Sequence, residues 1–407
     1  MSEIILNSNS LLKILQINSV SNSGSTGRIM ENIGLVIKEA GHHSCIAYGR
    51  GGGNSELDTI KIGSQLDVYI HGAITLLMDK HGFGSTRATK DFIKKIEVYQ
   101  PDAIGLHNIH GYYINIQLLF NYLRNKNIPV LWTFHDSWPF TGHCTYFDSV
   151  NCEKWLSGCQ NCPKKKEYPR SLVDNSKKNY LNKRGLFSSL NNLHIITPSH
   201  WLKTNVKRSY LKNFDVSVIH NGIDLQAFKP NQMVRKEKLI LGVASIWDKR
   251  KGLNDFHSLR LLLDDEWKIV LIGLSKEQLK DLPKGISGIA RTEDIQELVN
   301  WYSRSLCYVN PTYQDNFPTT NIEAIACGTP FITYNTGGSP EAIDKETGCV
   351  VQQGNIQGLL EAILYLESLD NITLSKACRK RAETLFDKKV QFLEYLKIYK
   401  QITHLST

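Results

Sequence analysis

The chain has no run of the ~18 consecutive apolar residues that a membrane-spanning helix needs, which argues against an integral helical membrane protein. It has no repeat of 20–50 residues and no low-complexity tract, which sets aside solenoids, propellers and disordered linkers. Its opening, MSEIILNSNSLLKILQINSV, lacks the basic front and unbroken apolar core of a secretory leader. Asn and Ser interrupt the apolar residues there, so the segment is expected to hold a first buried strand. Without an export signal the chain is expected in the reducing cytoplasm, where its nine cysteines are thiols or metal ligands rather than disulfides. What is present is globular: 407 residues, 41% apolar and 21% charged, enough for two cores.

Acid is the scarcer charge, with 39 Asp and Glu against 48 Lys and Arg, a net +9. Residues 151–214 hold 13 Lys or Arg against Glu153, Glu167 and Asp174, so this one segment accounts for the whole surplus. It reads either as a solvated basic face or as a surface for anionic lipid headgroups or a phosphate-bearing acceptor. The apolar run HGAITLLM (71–78) reads either as one face of a buried helix or as a partner to that basic surface. The second pair of readings would make the protein peripheral on the inner face of the plasma membrane.

Strands and helices alternate along the first half. LKILQINSV (12–20), SCIAYGR (44–50), PDAIGLHNIH (101–110), PVLWTFHD (129–136) and HIITPS (194–199) read as strands. The loop SNSGSTGR leads into an amphipathic helix around 28–40 that Gly41 ends. A second series comes after it: KLILGVASIW (238–247), WKIVLIG (267–273), LCYVNPT (306–312) and PFITYNT (330–336). The turn-rich HNGIDLQAFKP (220–230) and the Pro230–Asn231 pair mark the linker. The expected fold is α/β, two doubly wound Rossmann-like domains facing a central cleft. They span 1–222 and 223–385, with a C-terminal helix of about 386–407 crossing back to the first. Ligands of such sheets sit at the carboxyl ends of the strands, where this sequence places its polar clusters.

The richest stretch is NPTYQDNFPTTNIEAIACGTPFITYNTGGSPEAI (310–343), a strand, polar loop, short helix, strand and Gly-rich loop. Asp315 in the loop can accept from sugar hydroxyls, and Glu323 in the helix can bind a ribose diol. Between them Asn316, Phe317, Pro318 and Thr319 lead into a helix start whose free N–H groups and dipole favour a phosphate.

This stretch closely resembles the retaining, nucleotide-sugar-dependent glycosyltransferases of family four, whose fold is the two-domain GT-B type. The family pattern has two acids separated by seven residues, an Ala–Cys–Gly–Thr–Pro-like turn (here Ala326–Pro330) and a Gly–Gly loop (here Thr336–Gly338). The second acid matches Glu323, while the first is Asp315 where Glu is usual, one methylene shorter. A subgroup in exopolysaccharide and colanic-acid synthesis looks similar, with the QDNFPTTNIEA form. GSTGR (24–28) resembles the family's first Gly-rich loop, bringing Gly24 and Gly27 to donor phosphate or acceptor. TFHDSW (133–138) resembles the active-site His loop and singles out His135. TPSHWLK (197–203) and VIHNGID (218–224) resemble the end of the first domain and the hinge. GVASIWDKRKGL (242–253) supplies Lys251 for the diphosphate, with Arg250 as its helper, and Ser245 or Ile246 stands where an Arg is usual.

The resemblance implies transfer from a nucleoside diphosphate sugar to a saccharide or lipid-linked acceptor, with retention, in surface polysaccharide synthesis. The departing phosphate would take the acceptor proton, and His135 would lie against the sugar from the opposite domain. No Asp–X–Asp stands where a divalent ion would be held, so no catalytic metal is expected. The alternatives are a nucleotide-sugar epimerase on the same fold and a zinc-containing nucleic-acid-binding protein. The second would explain the basic segment but not residues 310–343, so nucleic acid is not an expected partner. Cys144, Cys152, Cys159 and Cys162 lie in CTYFDSVNCEKWLSGCQNC, whose closing C-x-x-C can grip one Zn²⁺. The resembling subgroup shares such a cluster, and a structural zinc there would pin a polar insertion expected to lack an apolar core of its own.

Overall fold

The computed structural model describes residues 11–404. Two parallel sheets carry it. The first has seven strands: β1 (Lys13–Asn18), β2 (His43–Tyr48), β3 (Asp58–Lys61), β4 (Ala103–Leu106), β5 (Val130–Thr133), β6 (Leu193–Thr197) and β7 (Asp215–Val218). Their order is β3-β2-β1-β4-β5-β6-β7. The second has six: β8 (Glu237–Val243), β9 (Lys268–Ile272), β10 (Ile286–Ile289), β11 (Ser305–Asn310), β12 (Phe331–Tyr334) and β13 (Gly348–Val351), ordered β10-β9-β8-β11-β12-β13. Every pairing within both sheets is parallel. This is the expected doubly wound α/β class, and each sheet reverses its strand order once, between β1 and β4 and between β8 and β11.

Four strands were not legible from pattern: β3, β7, β10 and β13. They are short, lie at the sheet margins and have at most one buried position each, whereas the central strands are nearly all buried. The expected strand over 101–110 stops at Leu106, because His107 to His110 leave the ladder to enter a polar cluster.

Five helices shape the cleft and its surroundings: α1 (Gly24–Glu39), α2 (Gln65–Met78), α3 (His200–Arg208), α4 (Thr319–Ala326) and α5 (Lys388–His404). Helix α5 lies on the first sheet. Phe392, Tyr395, Leu396 and Tyr399 are buried in one cluster with Ile14, Ile33, Ile37 and Leu131. Its entry is set where the chain crosses itself: Ile223 N donates to Phe386 O at 2.8 Å, and Lys388 N donates to Ile223 O at 3.0 Å. Gly222 has no side chain at that crossing because a Cβ would overlap the Lys388 backbone. Lys388 also pairs with Asp224 at 2.7 Å.

Two lysines of the basic segment are consumed inside the fold, while most of its Lys and Arg side chains stay exposed as a solvated face. Lys183 is buried, donating to Trp138 O at 2.6 Å, and burial draws its ammonium down to about 7. Lys164 is buried against Glu167 and Ser149, and Lys207 caps the carbonyls of Lys212 and Phe214.

Because α5 seals the first core from outside the first sheet's own sequence, Phe392→Ala should cost about 3–5 kcal/mol. It should lower the denaturation midpoint, while truncating the exposed Val390 on the same helix should leave it nearly unchanged.

Candidate active site

The carboxyl ends of both sheets face one cavity of about 700 Å³. From the second domain, β11 leads into the loop ending at Pro318, and α4 starts at its far end. Gly337 (φ +56°) and Gly338 lie directly beneath this loop. A Cβ on either would overlap the carbonyl of Asp315 or of Asn316, so only glycine lets the two loops stack.

The stacking aims three groups. Asp315 Oδ2 meets Lys251 Nζ at 2.6 Å, so two residues singled out separately are each other's partner. Asn316 Nδ2 donates across the cleft to His135 O at 2.6 Å. Phe317 stacks on His220 with ring centroids 4.8 Å apart, and its carbonyl accepts from Asn221 Nδ2. The N-cap of α4 is Pro318, which supplies no side-chain cap, so the helix start opens toward the cavity. Glu323, one turn in, accepts from Tyr302 Oη at 3.1 Å. Burial pushes its carboxyl above the usual range, and Tyr302, Arg28 and Thr319 pull the other way.

The first-domain wall is built on a chain of three side chains. Gln16 Nε2 donates to Met30 O, which turns Oε1 toward His107 Nε2 at 3.3 Å. His107 Nδ1 is then the lone-pair nitrogen facing His135 Nε2 at 2.9 Å. The relay leaves His135 with its proton on Nε2 and a lone pair on Nδ1. The rings stack at 5.2 Å. Burial pushes His135 down to about 4 and His107 further below the ordinary imidazole range, so both are neutral at physiological pH.

Of the residues singled out by sequence, Gly24, His135, Lys251, Arg250, Asp315, Asn316, Phe317, Pro318, Thr319 and Glu323 line this cavity. Gly27 does not. It lies buried in α1, where its bare Cα lets the turn at 20–22 pack close. Arg250 is tied to Asp248 at 2.9 Å and lies over the Tyr146 ring at 5.5 Å. Of the two positions where the resemblance led one to expect Arg, Ser245 lines the cavity and Ile246 is left exposed. Arg28 and Arg291 were missed, and both line the cavity. Arg28 closes the GSTGR motif and could have been noted; Arg291 follows the weakly patterned β10 and gave no signal.

A second cavity of about 750 Å³ adjoins the first, and Asp136, Tyr146 and Arg250 border both. Its walls come from the insertion after His135 (Lys164, Tyr168) and from the second domain (Asp248, Tyr313). Asp136 is held by His110 Nε2 at 2.8 Å and by the Trp138 N–H at 2.9 Å.

The insertion is anchored by apolar residues that join the first domain's main core rather than forming a separate one: Phe140, Phe147 and Trp155 pack with centroids 4.8–6.2 Å apart. Cys144, Cys152, Cys159 and Cys162 border one small cleft against it. The expected zinc is not supported by their placement. Among the described residues, three or more ligating atoms lie within 4.8 Å of one another only in His200, His220 and Glu341. A tetrahedral zinc with Zn–S bonds of about 2.3 Å would need all four sulfurs roughly 3.8 Å apart. Instead Cys144 is hydrogen-bonded to Cys162, which that bond draws down to about 7, and Cys159 Sγ accepts from Gly142 N at 3.2 Å.

The family described as Glycosyltransferase Family 4 matches residues 26–227, and that described as Glycosyl transferases group 1 matches 237–368. A protein of Escherichia coli named for colanic acid biosynthesis, the glycosyl transferase WcaC, is 23% identical over 96% of this chain and 100% of its own. The N,N'-diacetylbacillosaminyl-diphospho-undecaprenol alpha-1,3-N-acetylgalactosaminyltransferase of Campylobacter jejuni is 27% identical over 47% of this chain and 56% of its own. Among solved structures, sucrose-phosphate synthase from Thermosynechococcus elongatus superimposes with a TM-score of 0.72 at 19% identity, covering 97% of this chain and 100% of that one. Anabaena Alr3699/HepE in complex with UDP gives 0.67 at 12% identity, covering 96% and 100%. With the two families matching its two sheets in turn, and its length superimposing on GT-B enzymes, the chain is a glycosyltransferase of the group 1 type.

Proposed function

We propose that the chain moves a sugar, with retention, from a nucleoside diphosphate sugar to a saccharide or lipid-linked acceptor in the synthesis of a surface polysaccharide. The observation that carries this reading is the single cavity in which a neutral His135 from one sheet faces Lys251–Asp315, the open start of α4 and the buried Glu323 from the other. In this reading residues 223–385 hold the donor, and residues 1–222 with the returning helix of 386–407 hold the acceptor.

Glu323 accepts from the ribose diol, which relieves a desolvated carboxyl. Lys251 and the α4 start neutralise the diphosphate as the C1–O bond breaks and its electron pair passes to the leaving phosphate. Arg28 and Arg291 face the same space and add to that positive potential. Asp315 is committed to Lys251 and Glu323 to Tyr302, so both serve binding, and the departing phosphate takes the acceptor proton. His135 Nδ1, an acceptor only, suits a donor-sugar hydroxyl. The second cavity, with Tyr146, Tyr168 and Tyr313 among mixed charges, suits the rings and hydroxyls of a saccharide acceptor. The relative named for colanic acid biosynthesis and the one acting on an undecaprenol-linked sugar support these acceptor classes.

Helix α2 supports docking at an anionic bilayer. Leu66, Tyr69, Ile70, Ala73 and Leu77 fall at helical spacing on its outer side, Leu66 and Tyr69 exposed by 65% and 67%, while the buried face carries Val68, His71 and Thr75. Leu172 and Val173 extend this apolar patch, since Leu172 N donates to Leu76 O, and Lys165 donates to Leu172 O beside it. Among the described residues no helix is long and apolar enough to cross a membrane. An apolar stripe with basic neighbours matches interfacial docking.

Whichever of UDP, GDP or ADP binds the native protein in calorimetry should bind ten- to a hundredfold more weakly to Glu323→Gln and to Lys251→Ala, from the loss of about 1.5–3 kcal/mol. Mg²⁺ should leave that affinity unchanged; unaltered binding in both variants rejects the donor site, and sugar turnover without any acceptor would favour an epimerase. Burial holds His135 and His71 near 4, against about 6.5 when unfolded, so their contribution to stability is complete above pH 6.5. It should fade as pH drops from 6.5 toward 4, and the fall in melting temperature over that range should be shallower in His135→Asn. Finally, the protein should sediment with phosphatidylglycerol vesicles at low salt and be released by high salt, and Ile70→Glu with Leu77→Glu should abolish this. Equal binding to phosphatidylcholine, or none to either, rejects docking.

A further inference from the structure

A cluster outside the two cavities has the composition of a metal site. His200 is the first residue of α3, His220 follows β7 at the hinge, and Glu341 lies beyond the Gly337–Gly338 loop in the second domain. The three come from well-separated segments of the chain, yet their ligating atoms lie within 4.8 Å of one another.

Each partner is oriented by a second contact. His220 Nδ1 donates to Pro198 O at 2.8 Å, which fixes the tautomer and leaves Nε2 with the lone pair. Its ring is clamped against Phe317. Glu341 accepts the backbone N–H groups of His200 and Trp201, one on each oxygen, at 2.8 Å. Those bonds occupy two of about four acceptor positions and turn the carboxylate toward α3. Such outer contacts are what fix first-shell ligands in metalloproteins. His200 is exposed and can swing by the ångström or so that bonds of about 2.0–2.2 Å require. Arg381, which reaches the Glu341 backbone, is committed to the carbonyls of residues 341–343 and to Asp344, and does not pair with the Glu341 carboxylate.

We propose that His200, His220 and Glu341 bind one borderline transition-metal ion of the Zn²⁺ or Co²⁺ class, with water in the remaining position, and that this ion staples the two domains. Two imidazoles and one carboxylate suit such ions and disfavour Mg²⁺ and Ca²⁺, which take oxygen ligands. The set is complete only when the Gly337–Gly338 loop of the second domain rests against α3 of the first. Binding therefore stabilises the closed arrangement by mass action. Because His220 also backs Phe317, the ion holds the loop that carries Asp315 and Asn316. It takes no part in the sugar transfer and does not depend on that reading.

The test uses the full chain stripped with chelator and titrated with Co²⁺. The native protein should take up one ion whose visible bands are those of nitrogen and oxygen ligands, and its melting temperature should rise with it. His200→Ala should melt like the native protein without metal, lose those bands, bind about tenfold or more weakly and show no metal-dependent rise. Glu341→Gln keeps one oxygen for one of the two α3 N–H groups and sets its amide N–H against the other, so it should melt somewhat lower without metal yet likewise lose those bands and the metal-dependent rise. The thiolate-to-Co²⁺ bands of any ion taken by the cysteines are distinct and should be equal in all three proteins. Only thiolate bands, or equal uptake and equal stabilisation in the native protein and His200→Ala, would overturn the proposal.

Discussion

The cleft depends on one backbone contact: the Gly337–Gly338 turn lying flat beneath the carbonyls of Asp315 and Asn316. Side chains at those positions would lift the loop by the thickness of a methyl group. The pairs that the loop aims, Asp315 to Lys251 and Asn316 to the His135 carbonyl, are 2.6 Å long and would not survive that displacement. Gly338 also packs on Ser199, the N-cap of α3, and Glu341 accepts two amides from the start of that helix. The same turn therefore shapes the second-domain wall and fixes where the first domain meets it.

Electrostatics in this cleft follow from desolvation more than from paired charge. His135 and His107 are kept neutral by burial, and Glu323 is pushed up by burial without a close cationic partner. In the proposed reading, His135 Nδ1 and the Glu323 carboxylate gain hydrogen bonds when a polyhydroxyl, anionic ligand replaces water. The positive side is spread over Lys251, Arg28, Arg291 and an uncapped helix start.

The insertion after His135 shows how composition can mislead. Its cysteines and lysines suggest a metal knot on a solvated basic face. In the fold, Trp155, Phe147 and Phe140 tie it into the first domain's core, the thiols pack against that core, and Lys183 and Lys164 are spent on buried contacts. What remains outside is the larger part of the basic face, together with an apolar stripe on α2 whose buried face is the more polar one.

The sequence by itself determined the class of fold and which strand–loop–helix unit walls the cleft from the second sheet. Central parallel strands are buried on both faces and read as unbroken apolar runs. The residues of 310–343 act within one strand–loop–helix unit, so their spacing survives translation into space. Marginal strands such as β3 and β13 were invisible because half-exposed segments carry no such run. Only the tertiary structure decided the rest. The tautomer of His135 is set by Gln16 and His107 from other strands. The pairing of Lys251 with Asp315 joins the segment after β8 to the one after β11. The placement of Arg28 and Arg291 on the cavity wall, and the convergence of His200, His220 and Glu341, arise where two domains meet, and no periodicity along one chain encodes which loops will face each other.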